Sequence, residues 1–249
     1  MSEFVGYATQ SYWGARREEP AELGRRYWKM LQLLGGVNRA FGDWKFIGLT
    51  KLWPMPLEPG TELTHLISDC VDTADDGEPT PINGYRFGAG TWTGSKSSLI
   101  INVHAGCYAP NMQFYTNTVG LKTQPLSEEN IGMITAPIFK AALLAIAAAW
   151  DATWCGAYPW DIIPLWPDPV VEGRPTLRMA WITYLSPRFA PLVTPPRSAI
   201  VEHTPQGGIV MTATEERFDV TNPAHLAAAR EIEAALAPVN ALPWPPDEP

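Results

Sequence analysis

Proline is the residue that most constrains this chain, because 25 of its 249 residues are prolines. A proline fixes φ and removes a backbone N–H donor, so it interrupts helices and central strands. Most of the prolines cluster at 54–59, 79–81, 164–175, 187–196 and 238–249. We interpret these clusters as loops that separate short helices and strands, and not as low-complexity sequence.

Three segments have the signals of helices, at 20–34, 127–150 and 222–238. Each begins at a capping residue or a first-turn proline, and Pro137 marks either a kink in the second helix or its true start. We expect the glycine pair 35–36 to end the first helix and Pro238 to stop the last. Apolar residues at helical spacing predict two buried stripes, one made of Leu23, Tyr27, Met30, Leu31 and Leu34 and the other of Leu226, Ala229, Ile232 and Leu236.

Runs rich in β-branched and aromatic residues predict strands between these helices. The predicted strands cover 4–12, 45–49, 84–92, 97–104, 112–119, 152–158, 178–185, 198–203 and 208–214. The last two form a hairpin around 204–208. The glycine-rich run 88–97 invites comparison with a phosphate-binding loop, but Ser95 stands before Lys96 and a strand follows. We therefore predict a hairpin turn there.

These elements predict an α+β fold with a mixed, largely antiparallel sheet packed by about three helices. The chain shows no internal repeat, so we expect one composite domain over residues 1–249. Two α+β halves, 1–120 and 127–242, are the alternative. We expect residues 243–249 to form a flexible tail.

The net charge of −8 and the pI near 5.0 indicate an acidic surface. Such a surface disfavours direct contact with nucleic acid or anionic membranes and favours a basic partner, although acidity also serves solubility. Three widely separated cysteines fit a reducing compartment. The N-terminus lacks the features of a signal peptide, and the apolar stretch 141–150 is too short to span a bilayer. We therefore expect a cytoplasmic protein.

Catalytic and metal-binding patterns are weak in this sequence. The four histidines are scattered and none has metal-ligand spacing. His104 and Cys107 are the closest approach to a nucleophile–base couple, and we interpret them as a strand residue and an inert buried thiol. The sequence thus predicts no catalytic residue, no cofactor and no metal, which favours a protein that acts by binding.

Residues 53–81 are predicted to form a long loop, and long loops in compact domains are often functional. This loop carries Asp69, Asp72, Asp75, Asp76 and Glu78. Three roles stay open for these carboxylates: a solvated loop, a contact with a basic partner, or a metal or catalytic site. Three tryptophans, Trp53, Trp160 and Trp166, lie in proline-rich connections and are either interface anchors or packed beneath the loops.

Motifs at the two flanks carry a family resemblance. Tyr12-Trp13-Gly14-Ala15-Arg16 precedes the first helix, Trp181-Ile182-Thr183-Tyr184-Leu185-Ser186 precedes the last hairpin, and Phe218-Asp219-Val220-Thr221-Asn222-Pro223 opens the last helix. In order and spacing they resemble the immunity protein 52 family over 7–44 and 178–242. Members of that family are antidotes encoded beside polymorphic or type VI secreted toxins.

The resemblance implies a non-enzymatic protein that binds a cognate toxin, and it implies a nuclease as that toxin. A nuclease carries basic groups around its cleft, which an acidic partner can cover. We therefore predict a partner surface made of Asp72, Asp75, Asp76 and Glu78, with Trp53 or Trp166 as an aromatic anchor. An effector-loading adaptor or chaperone is one alternative, and a metal-dependent hydrolase that uses the acidic loop is another.

Overall fold

The computed structural model describes residues 6–49, 51–93, 96–109, 117–125, 127, 130–166, 170–171 and 174–242. Five α-helices are present in this part of the chain: α1 Pro20–Val37, α2 Thr61–Ser68, α3 Ala136–Trp150, α4 Pro223–Ala235 and α5 Ala237–Asn240. The strands are β1 Tyr7–Trp13, β2 Lys45–Ile47, β3 Leu52–Pro54, β4 Tyr85–Thr93, β5 Lys96–Ala105, β6 Asn117–Thr123, β7 Trp154–Pro159, β8 Val170–Val171, β9 Arg174–Pro175, β10 Ile182–Leu185, β11 Ile200–His203 and β12 Ile209–Thr212.

One ten-stranded sheet runs through the molecule in the order β11-β12-β10-β7-β1-β6-β5-β4-β2-β3, and β8 pairs with β9 in a separate ribbon. Every pairing between these strands is antiparallel. The predicted α+β class is therefore confirmed, with a sheet more uniform than the mixed one expected. β1 lies in the middle of this sheet, so the first strand of the sequence joins its early and late strands.

Helices α1 and α3 cover one face of the sheet. The predicted stripe of α1 is buried throughout. Helix α3 is alanine-rich and largely buried, and it packs beside α1 and against β1, β7 and β10. Trp13 of β1 stacks on Trp150 at the end of α3, with ring centroids 5.2 Å apart. Both indoles are fully buried, so this pair belongs to the core.

Both predicted hairpins are confirmed. β4 and β5 pair antiparallel up to Thr93 and Lys96, although residues 94–95 of the turn lie outside the described residues. In the turn between β11 and β12, Gly207 adopts φ of 91°, which a residue with a side chain rarely does. Thr204 N–H donates to the Gly208 carbonyl across this turn at 2.9 Å.

Several predicted boundaries were wrong. Helix α1 continues through the glycine pair to Val37. Pro137 lies in the first turn of α3, so it marks the true start of that helix and not a kink. Pro238 lies inside the short α5, because a proline is accepted in a first helical turn. Leu226 is only half-buried, since α4 turns His225, Ala229 and Ile232 inward.

The predicted long loop at 53–81 also needs correction, because it contains α2. Leu63 and Ile67 of that helix are fully buried, and they lie against Gly24 of α1. The predicted strand 112–119 begins at Asn117 in β6, and residues 112–116 lie outside the described residues. None of the helices in the described ranges combines the length and apolar character that crossing a bilayer requires.

Candidate partner-binding surfaces

The predicted acidic loop is an ordered turn, which we call the acidic hairpin (71–80). Thr80 N–H donates to the Asp72 carbonyl at 2.7 Å, and Ala74 N–H donates to the Glu78 carbonyl at 2.9 Å. These bonds fold the segment back on itself. Asp75, Asp76 and Glu78 are exposed. Their charges are therefore displayed on a defined backbone.

Asp72 differs from the other three carboxylates because it has a cationic partner. Its carboxylate lies 3.2 Å from Arg86 Nε of β4, and it is the least exposed of the four. Asp76 accepts a hydrogen bond from the Glu78 N–H within the turn. Among the residues that the structure describes, no group of three or more His, Cys, Asp or Glu side chains converges as a metal site would require.

Trp53 and the acidic hairpin lie along the same side of β4, which we call the β4 edge. β2 pairs with β4 through Ile47 and Gly88, and β3 follows as the outermost strand. Further along β4, Val71 of the hairpin bridges to Tyr85. Trp53 is 42% exposed. The structure therefore brings Trp53 to the edge that carries the predicted carboxylates.

This edge also exposes apolar side chains. Leu49, Leu52 and Leu57, which are close to Trp53 in the sequence, are also exposed, and Leu57 is 93% exposed. Lys51 Nζ lies 5.8 Å from the centre of a Trp53 ring. Exposed aromatic and aliphatic groups next to carboxylates have the composition of an interface, with apolar anchors and a charged rim.

Trp166 lies in a different region. The order of strands separates β7, where Trp166 packs, from β3 by six strand steps, or about 29 Å. Trp166 packs edge-on against Tyr158 of β7 with centroids 4.8 Å apart, and its Nε1 donates to the Met179 carbonyl at 2.8 Å. Of the two predicted anchors, only Trp53 accompanies the acidic residues.

Trp166 instead lines a pocket of about 160 Å³ on the sheet face opposite α1 and α3, which we call the open face. The lining consists of Gln10, Tyr12, Trp154, Gly156, Tyr158, Trp166, Thr176, Arg178, Met179 and Ala180. We call this the aromatic pocket. Tyr12 stacks on Trp154 at 4.1 Å, and the Arg178 guanidinium lies 4.9 Å from the centre of a Trp166 ring. Four aromatic rings thus surround a space sufficient for one side chain.

Strand register explains why these residues meet. Residues directly opposite each other in neighbouring strands lie on one face. Tyr12 is opposite both Thr118 and Trp154, while Gln10 is opposite both Gly120 and Gly156. The two glycines have no side chain that would fill the space beside Gln10. A Cβ on Gly120 would come within 2.7 Å of Gln10 Oε1. The pocket is therefore built into the centre of the sheet.

The electrostatics of the pocket favour hydrogen-bond acceptors. Burial raises the pKa of Tyr12 and of Tyr158, and the nearby charge of Arg178 opposes that rise at both. Both phenols stay protonated at neutral pH and can donate. The buried Nε1 of Trp154 finds no acceptor in the described part of the chain. Among the lining residues that the structure describes, Arg178 carries a formal charge.

An ion cluster that the sequence analysis missed fixes the chain next to β1. Glu18 is buried, and its two carboxylate oxygens lie 3.1 Å from Arg16 Nε and 2.6 Å from Arg26 Nε. Arg26 also reaches Asp151 at 2.6 Å, and Arg16 donates to the Trp150 carbonyl. Arg16 of the Tyr-Trp-Gly motif therefore joins α1 to the end of α3. No regular spacing in the sequence signals this cluster.

The nucleophile candidates have the environment of structural residues. Burial raises the pKa of the Cys107 thiol and that of Cys70, and it raises the pKa of Cys155 to about 12. A protonated thiol is a poor nucleophile. His104 Nε2 donates to the Asn83 carbonyl at 2.7 Å, and burial lowers the pKa of this histidine. The imidazole is engaged by the backbone.

Comparisons with known proteins agree with the fold. The sequence model of the family described as Immunity protein 52 matches residues 5–242, nearly the whole chain. The solved structure of the Pseudomonas aeruginosa T6SS protein PA0821 is similar, with a TM-score of 0.54 and 12% sequence identity, over 93% of this chain and 73% of that one. At this identity the likeness shows a shared fold alone. No curated protein matches the chain in sequence.

Proposed function

Because the chain belongs to the Immunity protein 52 family, we propose that it protects the cytoplasm of its own cell by binding a secreted nuclease toxin without catalysis. The family match along residues 5–242 is the observation that carries this proposal, and it implies an immunity protein. We propose that a type VI secretion system delivers this toxin, in keeping with the fold that the chain shares with a T6SS protein.

The charge of the chain supports a nuclease as the target. A nuclease must hold phosphate with basic groups, and a net charge of −8 attracts such a surface. The acidic hairpin presents three exposed carboxylates on a defined backbone. Covering the basic groups of a nuclease with these carboxylates excludes its substrate.

The β4 edge supplies the apolar part of the proposed contact. Trp53 and the exposed leucines near it in the sequence can be buried against a partner, while the hairpin carboxylates form the rim. Neutralisation requires a small free fraction of toxin, so we expect a dissociation constant of about 1 nM or lower. A standard interface buries about 800 Å² on each partner, and a circular patch of that area is about 32 Å across.

The stoichiometry of toxin inhibition distinguishes a binding antidote from an enzyme that modifies the toxin. The toxin encoded in the neighbouring open reading frame is purified and its nuclease activity is titrated with this chain. We expect inhibition to be complete at one equivalent, because a binding antidote is consumed by the complex. Complete inhibition at a small fraction of an equivalent would indicate an enzyme that modifies the toxin.

Variants at the residues closest to a catalytic couple provide the control. Single alanine replacements of His104, Cys107 and His203 are expected to leave the titration end point at one equivalent, provided that the proteins fold. Protection of cells that express the toxin is measured in parallel. Tight binding without protection would favour an effector-loading adaptor, and absence of binding would refute the proposed function.

A further inference from the structure

The aromatic pocket has room for one ring of an inserted side chain. Its volume of about 160 Å³ is close to that of an engineered cavity of about 150 Å³ that holds one benzene molecule. Pockets for cofactors and drug-sized ligands are larger, at about 300–1,000 Å³. Four of the residues that line this space are tyrosines or tryptophans. An aromatic side chain therefore suits the pocket in both size and chemistry.

The chain itself contains a segment with matching chemistry. Residues 243–249 lie outside the described residues, and their sequence is Pro-Trp-Pro-Pro-Asp-Glu-Pro. Four prolines in seven residues favour the extended polyproline II conformation, which loses little entropy on binding. Grooves lined by aromatic side chains recognise segments of this kind. Trp244 is the aromatic residue that such a segment offers here.

Hydrogen bonds place the start of this segment beside the pocket. Asn240, the last residue of α5, accepts a hydrogen bond from the Leu177 N–H at 2.8 Å and donates one to the Leu177 carbonyl at 3.0 Å. Leu177 is flanked on both sides by residues that line the pocket. The Glu233 carboxylate of α4 accepts from the Met179 N–H at 2.9 Å. The chain therefore leaves α5 next to the pocket wall that 176–180 form.

The chain that follows α5 is long enough for Trp244 to reach the rings. Trp244 lies four positions after Asn240, and consecutive Cα atoms are about 3.8 Å apart. At about 3.1 Å per residue in polyproline II, the seven residues 243–249 span about 22 Å. Trp166 is bonded to the same wall, since its Nε1 donates to the Met179 carbonyl at 2.8 Å. The other rings lie on β1 and β7, which are neighbours in the sheet and about 5 Å apart.

We propose that residues 243–249 bind in the aromatic pocket of the free protein, with the indole of Trp244 among its four rings. Aromatic pairs are favoured at centroid separations of about 4.5–7 Å, edge-on or offset, and this lining offers such contacts from several sides. The prolines supply carbonyl groups without competing N–H donors. The phenols of Tyr12 and Tyr158, which are protonated at neutral pH, donate to these carbonyls.

The tether makes a weak contact sufficient. A segment joined by a short linker has an effective concentration on the order of 1 mM at its site. A dissociation constant of about 1 mM for the untethered peptide is therefore enough to fill the pocket about half of the time. A group of the toxin then enters the pocket only by displacing this segment.

The indole N–H resonances of the full chain test the proposal. Those of Trp154 and Trp166 are assigned in a ¹H–¹⁵N spectrum by their loss in Trp154→Phe and Trp166→Phe. We expect Trp244→Ala to shift both resonances, because it removes the ring current of an indole from the pocket. Trp53→Ala removes an exposed tryptophan of the β4 edge and is expected to leave both resonances in place. Unshifted resonances in Trp244→Ala would overturn the proposal.

A blocked peptide with the sequence of residues 243–249 provides the second test. We expect it to return the resonances of the Trp244→Ala chain toward their parent positions at about 1 mM, whereas the same peptide with alanine in place of tryptophan does not. The parent chain is expected to bind the peptide at least about twofold more weakly, because its own segment competes. Equal binding to the two chains, or no binding to the variant, would overturn the proposal and leave the pocket free for a group of the partner. Neither test uses the toxin, so the outcome is independent of the proposed function.

Discussion

The β4 edge and the aromatic pocket differ in how they present their chemistry. At the β4 edge, the carboxylates of Asp75, Asp76 and Glu78 project from a turn that is held by backbone hydrogen bonds. In the pocket, Tyr12 and Trp154 are stacked and largely buried, and the charged residue among the described lining is the cationic Arg178. The two regions therefore have opposite sign and opposite degrees of burial.

The difference assigns the two regions to different stages of complex formation. Exposed charges act over about 8–10 Å in physiological salt, and they mainly accelerate encounter. Preorganised pockets gain their energy only when a group is seated in them, so they mainly slow dissociation. We expect the acidic hairpin to set the association rate of the complex and the aromatic pocket to set its lifetime.

The largest expected effect is a loss of stability, caused by disrupting the hydrophobic core on which both regions depend. Trp181 is fully buried, packs against Tyr7 and Phe139, and donates from Nε1 to the Thr214 carbonyl at 2.8 Å. Trp181→Ala is expected to lower the free energy of unfolding by about 3–5 kcal/mol, because it leaves a cavity and an unpaired carbonyl. Chemical denaturation measures this loss.

A matched pair on α1 controls the framework prediction. Leu31→Ala is expected to cost about 2–5 kcal/mol, since this leucine is buried, whereas Leu33→Ala is expected to cost less than about 0.5 kcal/mol, since Leu33 is exposed. Equal stability of the Trp181 variant and the parent protein would show that the core is misplaced. In that case neither region would have the defined geometry on which the comparison depends.

The next effect in size concerns the pocket. Arg178→Glu makes the chain two charge units more negative, so general attraction to a basic toxin should hold or rise. It also reverses the charge beside Trp166 in the lining of the aromatic pocket. We therefore expect dissociation to accelerate by at least about tenfold while association is unchanged or slightly faster, as measured by surface-based kinetics.

The Arg178→Glu variant is informative because its dissociation rate constant is expected to rise strongly while its association rate constant hardly changes. A slower association with an unchanged dissociation rate would place Arg178 among the steering charges and would remove the distinction between the two regions. Unfolding midpoints, measured alongside, exclude a general loss of structure. Arg39→Gln provides the exposed control on the helix side.

The acidic residues of the β4 edge could be predicted from the sequence, whereas the aromatic pocket could not. A run of acidic residues within ten positions is visible in the sequence, and so is the buried stripe of α1. The pocket draws on β1, on β7, on Trp166 and on residues between 176 and 180, and only the fold brings these segments together. The sequence pointed to Trp166 as an anchor candidate but gave no means of separating it from Trp53.

The Tyr-Trp-Gly motif shows the same limit at single residues. Tyr12 points toward the pocket side of β1, Trp13 packs on Trp150 beneath α1 and α3, and Arg16 joins the Glu18 cluster. These residues are close together in the sequence, but successive side chains of a strand point to opposite faces of the sheet. Tyr12 therefore faces the candidate pocket, and Trp13 faces the core. The buried Arg16–Glu18–Arg26 contacts depend on three-dimensional proximity and have no signature in spacing.

The smallest expected change, and the most direct test of the central claim, is the salt dependence of association with the purified toxin. The comparison uses the parent chain and a variant with Asp72→Asn, Asp75→Asn, Asp76→Asn and Glu78→Gln. In its matched control, glutamine replaces four glutamates near β11 and β12, at the opposite end of the sheet from β3: Glu202, Glu215, Glu216 and Glu231. Unfolding midpoints of the parent and the hairpin variant should be nearly equal, because the Asp72–Arg86 ion pair that this variant loses is partly exposed and worth at most about 1 kcal/mol. The control variant loses contacts of Glu202 with Lys140 and of Glu216 with His225, in which both glutamates are exposed.

The account predicts that the parent chain associates more slowly as salt rises, and that the hairpin variant associates several-fold more slowly at low salt with a flatter response. The control variant should keep most of the parent's salt dependence, although both variants lose four negative charges. An identical response of the hairpin variant and the parent chain would contradict the account, because the acidic hairpin would then be a solvated turn and the toxin would bind elsewhere.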